Sequence, residues 1–263
     1  MKSNNLLNKA EDVPKGKKLI VFDLDGTLTE SKAEMDGEMA FLLAKLLETR
    51  KVAVIGGGKF EQFHLQLLSK LFVPEKFLAN LFLFPVTATT SYTYINNKWT
   101  EIYNQNFSNE EKEEILSAFG ITFQELNYHH SEKIYGELIE DRGSQITFSI
   151  LGQKAPTDLK EKWNKENPDL RTKVEEVLQR HLPDMEVKVA GLTSIDVTRK
   201  GIDKAYGIKQ VEKYLDTPIK DMLFVGDNFS HEGNDEPVLG IGVLCFEVKN
   251  IQDTKKLISH LIR

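Results

Sequence analysis

The apolar run "LIVF" at residues 19–22, closed by "DLDGT" at 23–27, is the feature that most limits what this chain can fold into. Four consecutive apolar residues halted by turn chemistry read as a strand buried on both faces. Such strands belong to parallel sheets covered by helices. A single Asp-Gly turn would suffice to stop the strand. Here Asp23 and Asp25 bring two carboxylates to the same strand end.

The segments that follow keep this style. "DGEMAFLLAKLLETR" spaces its apolar residues by three and four, as a helix does. "KVAVI" is a second strand broken by Gly56, Gly57 and Gly58. "FEQFHLQLLSKLF" predicts another helix, and "NLFLFP" a third strand ending at Pro85. Strand and helix in alternation require crossover connections and a parallel sheet.

From about residue 87 the pattern changes. "TSYTYINNKWTEIYNQNF" alternates around an Asn96-Asn97 hairpin turn. In "SNEEKEEILSAFG", Ser108 and Glu111 form a capping-box pair, and Gly120 is the expected end of the helix. "SQITFSILG" and "MEVKVAGLTSIDVTRKG" alternate, with the helical "DLRTKVEEVLQRHL" between them. This is the signature of an α+β unit on an antiparallel sheet. The parallel style returns in "DKAYGIKQVEKYL", "DMLFVGD" and "IGVLCFEV". The expected fold class is therefore α/β: a Rossmann-like parallel-sheet core from residues 17–86 and 198–263. An α+β cap with an antiparallel sheet is inserted at 87–197, and a loose leader occupies 1–16. The aromatic residues Tyr92, Tyr94, Trp99 and Tyr103 are expected to pack within that cap.

Charge and composition remove some classes of function. A net charge of −6 over 263 residues lacks the basic face that nucleic acid requires. The single cysteine, Cys245, lies in an apolar run and cannot close an intrachain disulfide. No stretch is apolar enough for a membrane span, and the first residues lack the apolar core of a signal peptide. The expectation is a cytoplasmic protein with neither a nucleic-acid nor a membrane partner.

In open parallel sheets, ligands sit beyond the carboxyl ends of the strands. Asp23 and Asp25 end one strand, the three glycines end another, and "FVGDNFSHEGND" ends a later one. Lys204 opens the helix before that later strand. Each piece alone has a plainer explanation: an Asp-Gly turn, a solvated lysine, a polar loop. Together, in this order and at strand ends, they describe one site.

"FDLDGTLTESK", "IGGGKFEQ", "TSIDVTRKGIDKAYGI" and "FVGDNFSHEGND" resemble the haloacid dehalogenase superfamily of phosphotransferases, subclass IIB. The likeness extends over nearly the whole chain to its branch of eukaryotic-type phosphomannomutases. The resemblance implies Mg²⁺-dependent phosphoryl transfer through an aspartyl-phosphate. Asp23 would be the nucleophile, Asp25 the general acid and base, and Lys204 a neutralising cation. It implies metal ligation by the Asp23 carboxylate, the Asp25 main-chain carbonyl and Asp227, with Asp235 close by. Where many members carry Ser or Thr after the second strand, this chain has Gly58. Backbone N–H groups of Gly57 and Gly58 would then meet the phosphate.

The substrate implied is a phosphorylated sugar. In the cap, Arg142 of "EDRGSQ" matches a phosphate-binding arginine, and Ser194 and Asp196 of "TSIDV" match a sugar-binding pair. Other cationic positions are altered, with Lys32, Gln153 and Lys160 in their places. That weakened set favours a sugar phosphatase; phosphomannomutase and an inactive sugar-phosphate-binding protein are the alternatives. The resemblance also allows a homodimer joined through the cap, although no sequence feature marks its seam.

Overall fold

A computed structural model describes residues 5–231 and 233–263. Two compact units divide them: the segment up to Asn104 together with Ile202–Arg263, and Gln105–Gly201. Strands β1 (Leu6–Leu7), β2 (Leu19–Asp23), β3 (Lys51–Ile55), β4 (Leu81–Phe84), β5 (Thr90–Ile95) and β6 (Lys98–Asn104) precede the second unit. That unit supplies β7 (Ile139–Asp141), β8 (Gln145–Ser149), β9 (Met185–Ala190) and β10 (Ser194–Arg199). The returning chain adds β11 (Met222–Gly226) and β12 (Leu244–Glu247). The longer helices are α1 (Gly37–Leu47), α2 (Phe60–Gln66), α3 (Asn109–Glu125), α4 (Thr157–Glu166), α5 (Leu170–His181), α6 (Lys204–Leu215) and α7 (Ile251–Leu261).

The first unit is a mixed sheet in the order β1-β12-β11-β2-β3-β4-β5-β6. Pairing is parallel from β1 through β4 and antiparallel from β4 to β6. Alternate residues of β2 serve two cores. Ile20 and Phe22 pack with Leu43 of α1 and Leu257 and Ile258 of α7. Leu19 and Val21 pack with Ile208 and Val211 of α6. Each such side chain contributes roughly 1.5–3 kcal/mol by leaving water. From β2 the chain runs outward one way to β3 and β4, while β11 and β12 lie on the other side. The strand order therefore reverses at β2, the position where parallel sheets open a crevice.

Three sequence expectations are corrected. The Thr90–Asn104 hairpin, assigned above to the cap, extends the first unit's sheet through Phe82↔Thr93 and Leu83↔Tyr92. Its aromatic residues pack within that unit as well. Tyr92 lies 4.3 Å from Phe60 between ring centroids, and Tyr103 stacks at 4.1 Å on Tyr214. The Asn96-Asn97 turn itself is present, with φ of 52° and 62°, the left-handed pair that a tight hairpin needs.

The leader is the second correction. Residues 1–4 lie outside the described residues, but from Asn5 the chain is held. Leu6 and Leu7 pair with Cys245 and Phe246, and Val13 is buried. Third, α3 continues past Gly120 to Glu125, because Ile115, Ala118, Phe119 and Thr122 form one continuous buried stripe. A glycine inside a helix costs about 1 kcal/mol, which that stripe outweighs. The capping box at its start forms as expected, with Ser108 Oγ accepting from the Glu111 N–H at 3.2 Å.

Between β4 and β5 the chain makes a left-handed turn. Val86, Thr87 and Ala88 have φ of 48°, 54° and 62°. For residues bearing a Cβ this costs roughly 1–2 kcal/mol each. The turn pins the glycine stretch after β3: Val86 N–H donates to the Gly58 carbonyl at 3.0 Å and Thr87 N–H to that of Gly56 at 2.9 Å.

The second unit is a four-stranded antiparallel sheet in the order β7-β8-β10-β9. Ile146, Phe148, Ile195 and Val197 cover Ile115 and Phe119 of α3 and Val174 and Leu178 of α5. Among the described residues, no helix is long and apolar enough to cross a membrane.

Candidate active site

Asp23 closes β2 and is 3% exposed. The chain then turns at Gly26, where φ is +81° and a Cβ would collide with the Asp227 carboxylate. Only glycine accommodates both demands. At the end of β11, a Cβ on Gly226 would likewise run into the Asp235 carboxylate. These two glycines let carboxylates from three segments approach one another.

Asp235 is fully buried, and its Oδ2 accepts the N–H groups of Asp227 at 3.1 Å and Asn228 at 2.9 Å. Its Oδ1 accepts from Lys204 Nζ. The same ammonium lies 2.8 Å from Asp23 Oδ1. Lys204 is delivered by the first residue of α6, whose N-cap Asp203 accepts from the Tyr206 N–H at 2.8 Å.

One carboxylate oxygen from each of Asp23, Asp227 and Asp235 lies within 4.8 Å of the others. Lys204 is the cation that contacts this group, so negative charge is in excess. Burial pushes the Asp23 carboxyl up to about 7. Lys204 opposes that rise, while Asp235 and Asp227 add to it. Burial and the neighbouring Asp235 also raise Asp227. Burial opposes the Lys204 ammonium, but Asp23 and Asp235 outweigh it and hold the group above its ordinary value. Hard oxygen donors with unneutralised charge match the preference of Mg²⁺. Asp23, Asp227 and Asp235 are the residues that could hold it.

Asp25 has a different environment. Its Oδ1 accepts the Lys32 N–H at 2.7 Å and Gln66 Nε2 at 2.9 Å, and its Oδ2 accepts Gln62 Nε2 at 3.3 Å. The carboxylate cluster therefore does not include the Asp25 side chain. Lys32 contributes its backbone here, not its charge. Gln62 and Gln66 escaped the sequence reading because neutral amides on a helix resemble ordinary surface residues. Their i, i+4 spacing on α2 was the available signal. Gly58 is buried and Gly57 exposed at the start of that helix.

Within the second unit, Arg142, Ser194 and Asp196 gather near one polar sheet face. Ser149 Oγ and Ser194 Oγ are 2.8 Å apart, and Thr147 Oγ1 donates to Asp196 Oδ1 at 2.7 Å. Gln145 Nε2 donates to Thr147 Oγ1 at 2.9 Å. Burial raises Asp196, with Thr147 and the Arg142 charge opposing it. Arg142 is held by Glu140, whose Oε2 accepts Nε at 2.9 Å and a second guanidinium N–H at 2.8 Å. Lys188, opposite Asp196, pairs with Glu186 at 3.0 Å. Lys160 donates to the Gln153 carbonyl at 3.2 Å.

Comparisons with known proteins bear on the family and the fold. A family model described as eukaryotic phosphomannomutase matches residues 39–263. Asp23 and Asp25 lie ahead of that span. Phosphomannomutase of Saccharomyces cerevisiae is 29% identical over 258 residues, covering 92% of this chain and 93% of the relative. Human phosphomannomutase 1 is 28% identical over 224 residues, 82% of this chain and 81% of the relative. Among solved structures, the IMP-nucleotidase of Plasmodium falciparum, truncated at its N-terminus, matches with a TM-score of 0.64 at 16% identity. That match covers 96% of this chain and 70% of the other. A trehalose-6-phosphate phosphatase related protein matches with a TM-score of 0.56 at 17% identity, over 93% and 96% of the two chains. At these identities, the structural matches speak for the fold.

Proposed function

The chain belongs to the eukaryotic phosphomannomutase family, and from that premise we propose a Mg²⁺-dependent sugar phosphatase working through an aspartyl-phosphate. The observation that carries the proposal is the close group of Asp23, Asp227 and Asp235, the first and last of them buried and paired with the Lys204 ammonium. A carboxylate attacking a phosphate ester meets like-charge repulsion. Bound Mg²⁺ supplies the positive charge that offsets it.

Asp23 Oδ attacks phosphorus and the bond from phosphorus to the sugar oxygen breaks, while Asp25 gives its proton to that leaving oxygen. Water then attacks phosphorus, passing a proton to Asp25. The acyl-phosphate bond breaks and the Asp23 carboxylate and inorganic phosphate are released. Lys204 favours the ionised, oriented Asp23 before it attacks and again as the acyl-phosphate bond breaks. The Gly57-Gly58 turn is assigned to the transferring phosphoryl group, and Arg142, Ser194 and Asp196 to the sugar. Water is assigned as the acceptor because the cationic side chains beside Asp196 are offset by acids. Arg142 and Lys188 each have an acidic partner, and Gln153 is neutral. A mutase must grip the far phosphate of a hexose bisphosphate.

Phosphomannomutase activity is the second reading, favoured by a family match spanning residues 39–263. Incubation of mannose 1-phosphate with Mg²⁺ and catalytic hexose 1,6-bisphosphate separates the two. Free phosphate without the 6-phosphate supports hydrolysis; accumulation of mannose 6-phosphate overturns it in favour of the mutase. Failure of Asp23→Asn to abolish both products would overturn the aspartyl-phosphate itself.

A further inference from the structure

Gly58 and Gln62 occupy one another's space. A Cβ built on Gly58 would fall on the Gln62 carboxamide, meeting its Oε1 and Cδ. That amide is half-buried, and its Nε2 donates to Asp25 Oδ2. Gln66, one turn on, is 3% exposed and donates to Asp25 Oδ1 at 2.9 Å. Its own Oε1 is buried with no hydrogen-bond partner. An orphaned buried carbonyl oxygen costs about 1–3 kcal/mol. Gln66 Nε2 also donates to Thr29 Oγ1 at 3.1 Å and to the Ala33 carbonyl at 3.2 Å, so this amide ties Asp25 to the loop after β2.

From this we infer that Gln62 is a positioning residue for Asp25, and that Gly58 is required because any larger side chain would evict its amide. The absent hydroxyl after β3 is thus exchanged for a carboxamide from the next helical turn. An amide suits a group that must alternate between base and acid. Its N–H donates to the carboxylate, and after rotation about its last bond its oxygen accepts from the carboxyl O–H. Its reach places it on the oxygen of Asp25 that Lys32 and Gln66 leave open.

The inference rests on the reading of Asp25 as proton donor to the leaving group, and the test keeps the two apart. Mannose 6-phosphate has a poor leaving group that needs a proton; 2,4-dinitrophenyl phosphate has a good one that does not. With both substrates, kcat/KM reports transfer to the enzyme. Gln62→Leu, close in volume, should lower kcat/KM for mannose 6-phosphate by about tenfold, through kcat with little change in KM. The aryl phosphate should change by less than about twofold on the same reasoning. Gly58→Ala should lower mannose 6-phosphate turnover at least as far as Gln62→Leu, and the double variant should be no worse than Gly58→Ala alone, since both remove the same contact. Thermal melting of each variant checks that it is folded.

Equal losses on both substrates, or none on either, would overturn the role of Gln62 while leaving the proposed chemistry in place. So would additive losses in the double variant. A wild-type enzyme that turns over the aryl phosphate and not mannose 6-phosphate, or an Asp25→Asn variant with undiminished sugar-phosphate turnover, would overturn the acid role and this inference with it.

Discussion

The first unit's carboxylate group and the second unit's polar sheet face both set carboxylates among hydrogen-bonding neighbours, yet they handle that charge in opposite ways. On the sheet face, Asp196 is met by a hydroxyl, itself donated to by an amide, with the serine pair Ser149 and Ser194 alongside. Around β2 and β11, three carboxylates cluster and the Lys204 ammonium pairs with two of them, Asp23 and Asp235. The first arrangement is complete in itself and suits shape recognition. The second is incomplete without further positive charge, and incompleteness of that kind is what a phosphoryl-transfer site requires.

Four experiments would break or sharpen this contrast, beginning with the largest effect. Asp23→Asn should reduce phosphate release by about 10³-fold or more, while raising the melting temperature of the Mg²⁺-free protein, since one buried negative charge is gone. A variant that loses stability without Mg²⁺ would contradict the excess of charge. Lys204→Met strands Asp23 and Asp235 without their cation. It should cost about 3–5 kcal/mol in urea unfolding, the scale for breaking a buried pair from one side.

The third test concerns pH. The Asp23 value of about 7 lies above its ordinary 3.8. Its protonation therefore favours the metal-free fold below about pH 4, and that contribution is lost as the pH rises through about 7. Mg²⁺ needs the ionised form. Its affinity, followed calorimetrically, should fall up to about tenfold per unit as the pH drops below about 7. A pH-independent affinity between 5.5 and 8 would show that Asp23 is not a ligand. The smallest effect is expected on the satisfied face. Thr147→Val should cost ~1–2 kcal/mol, because Asp196 keeps its other contacts.

Most of the site was legible because its chemistry-bearing residues stand at strand ends, where an apolar run makes the position readable. Asp23, Lys204, Asp227 and Asp235 come together as their order along the chain implied. Gln62 and Gln66 were hardly legible, since beyond their i, i+4 spacing nothing in a neutral amide announces that it faces a carboxylate. The alternation of residues 90–104 correctly signalled a hairpin but was silent about which sheet it would join. That choice rests on long-range packing of Tyr92 on Phe60 and Tyr103 on Tyr214. Gly120 misled because its local helix-ending tendency is weaker than the buried stripe running past it.

The two-residue strand at Leu6–Leu7 has a practical consequence for handling the protein. Clipping the first sixteen residues as though they were a dispensable tail would strip β12 of its neighbour and bare the rim of an eight-stranded sheet. Bared rims recruit other rims. Shortened versions should therefore clump on concentration, and affinity handles are better appended after Arg263 than grafted onto Asn5.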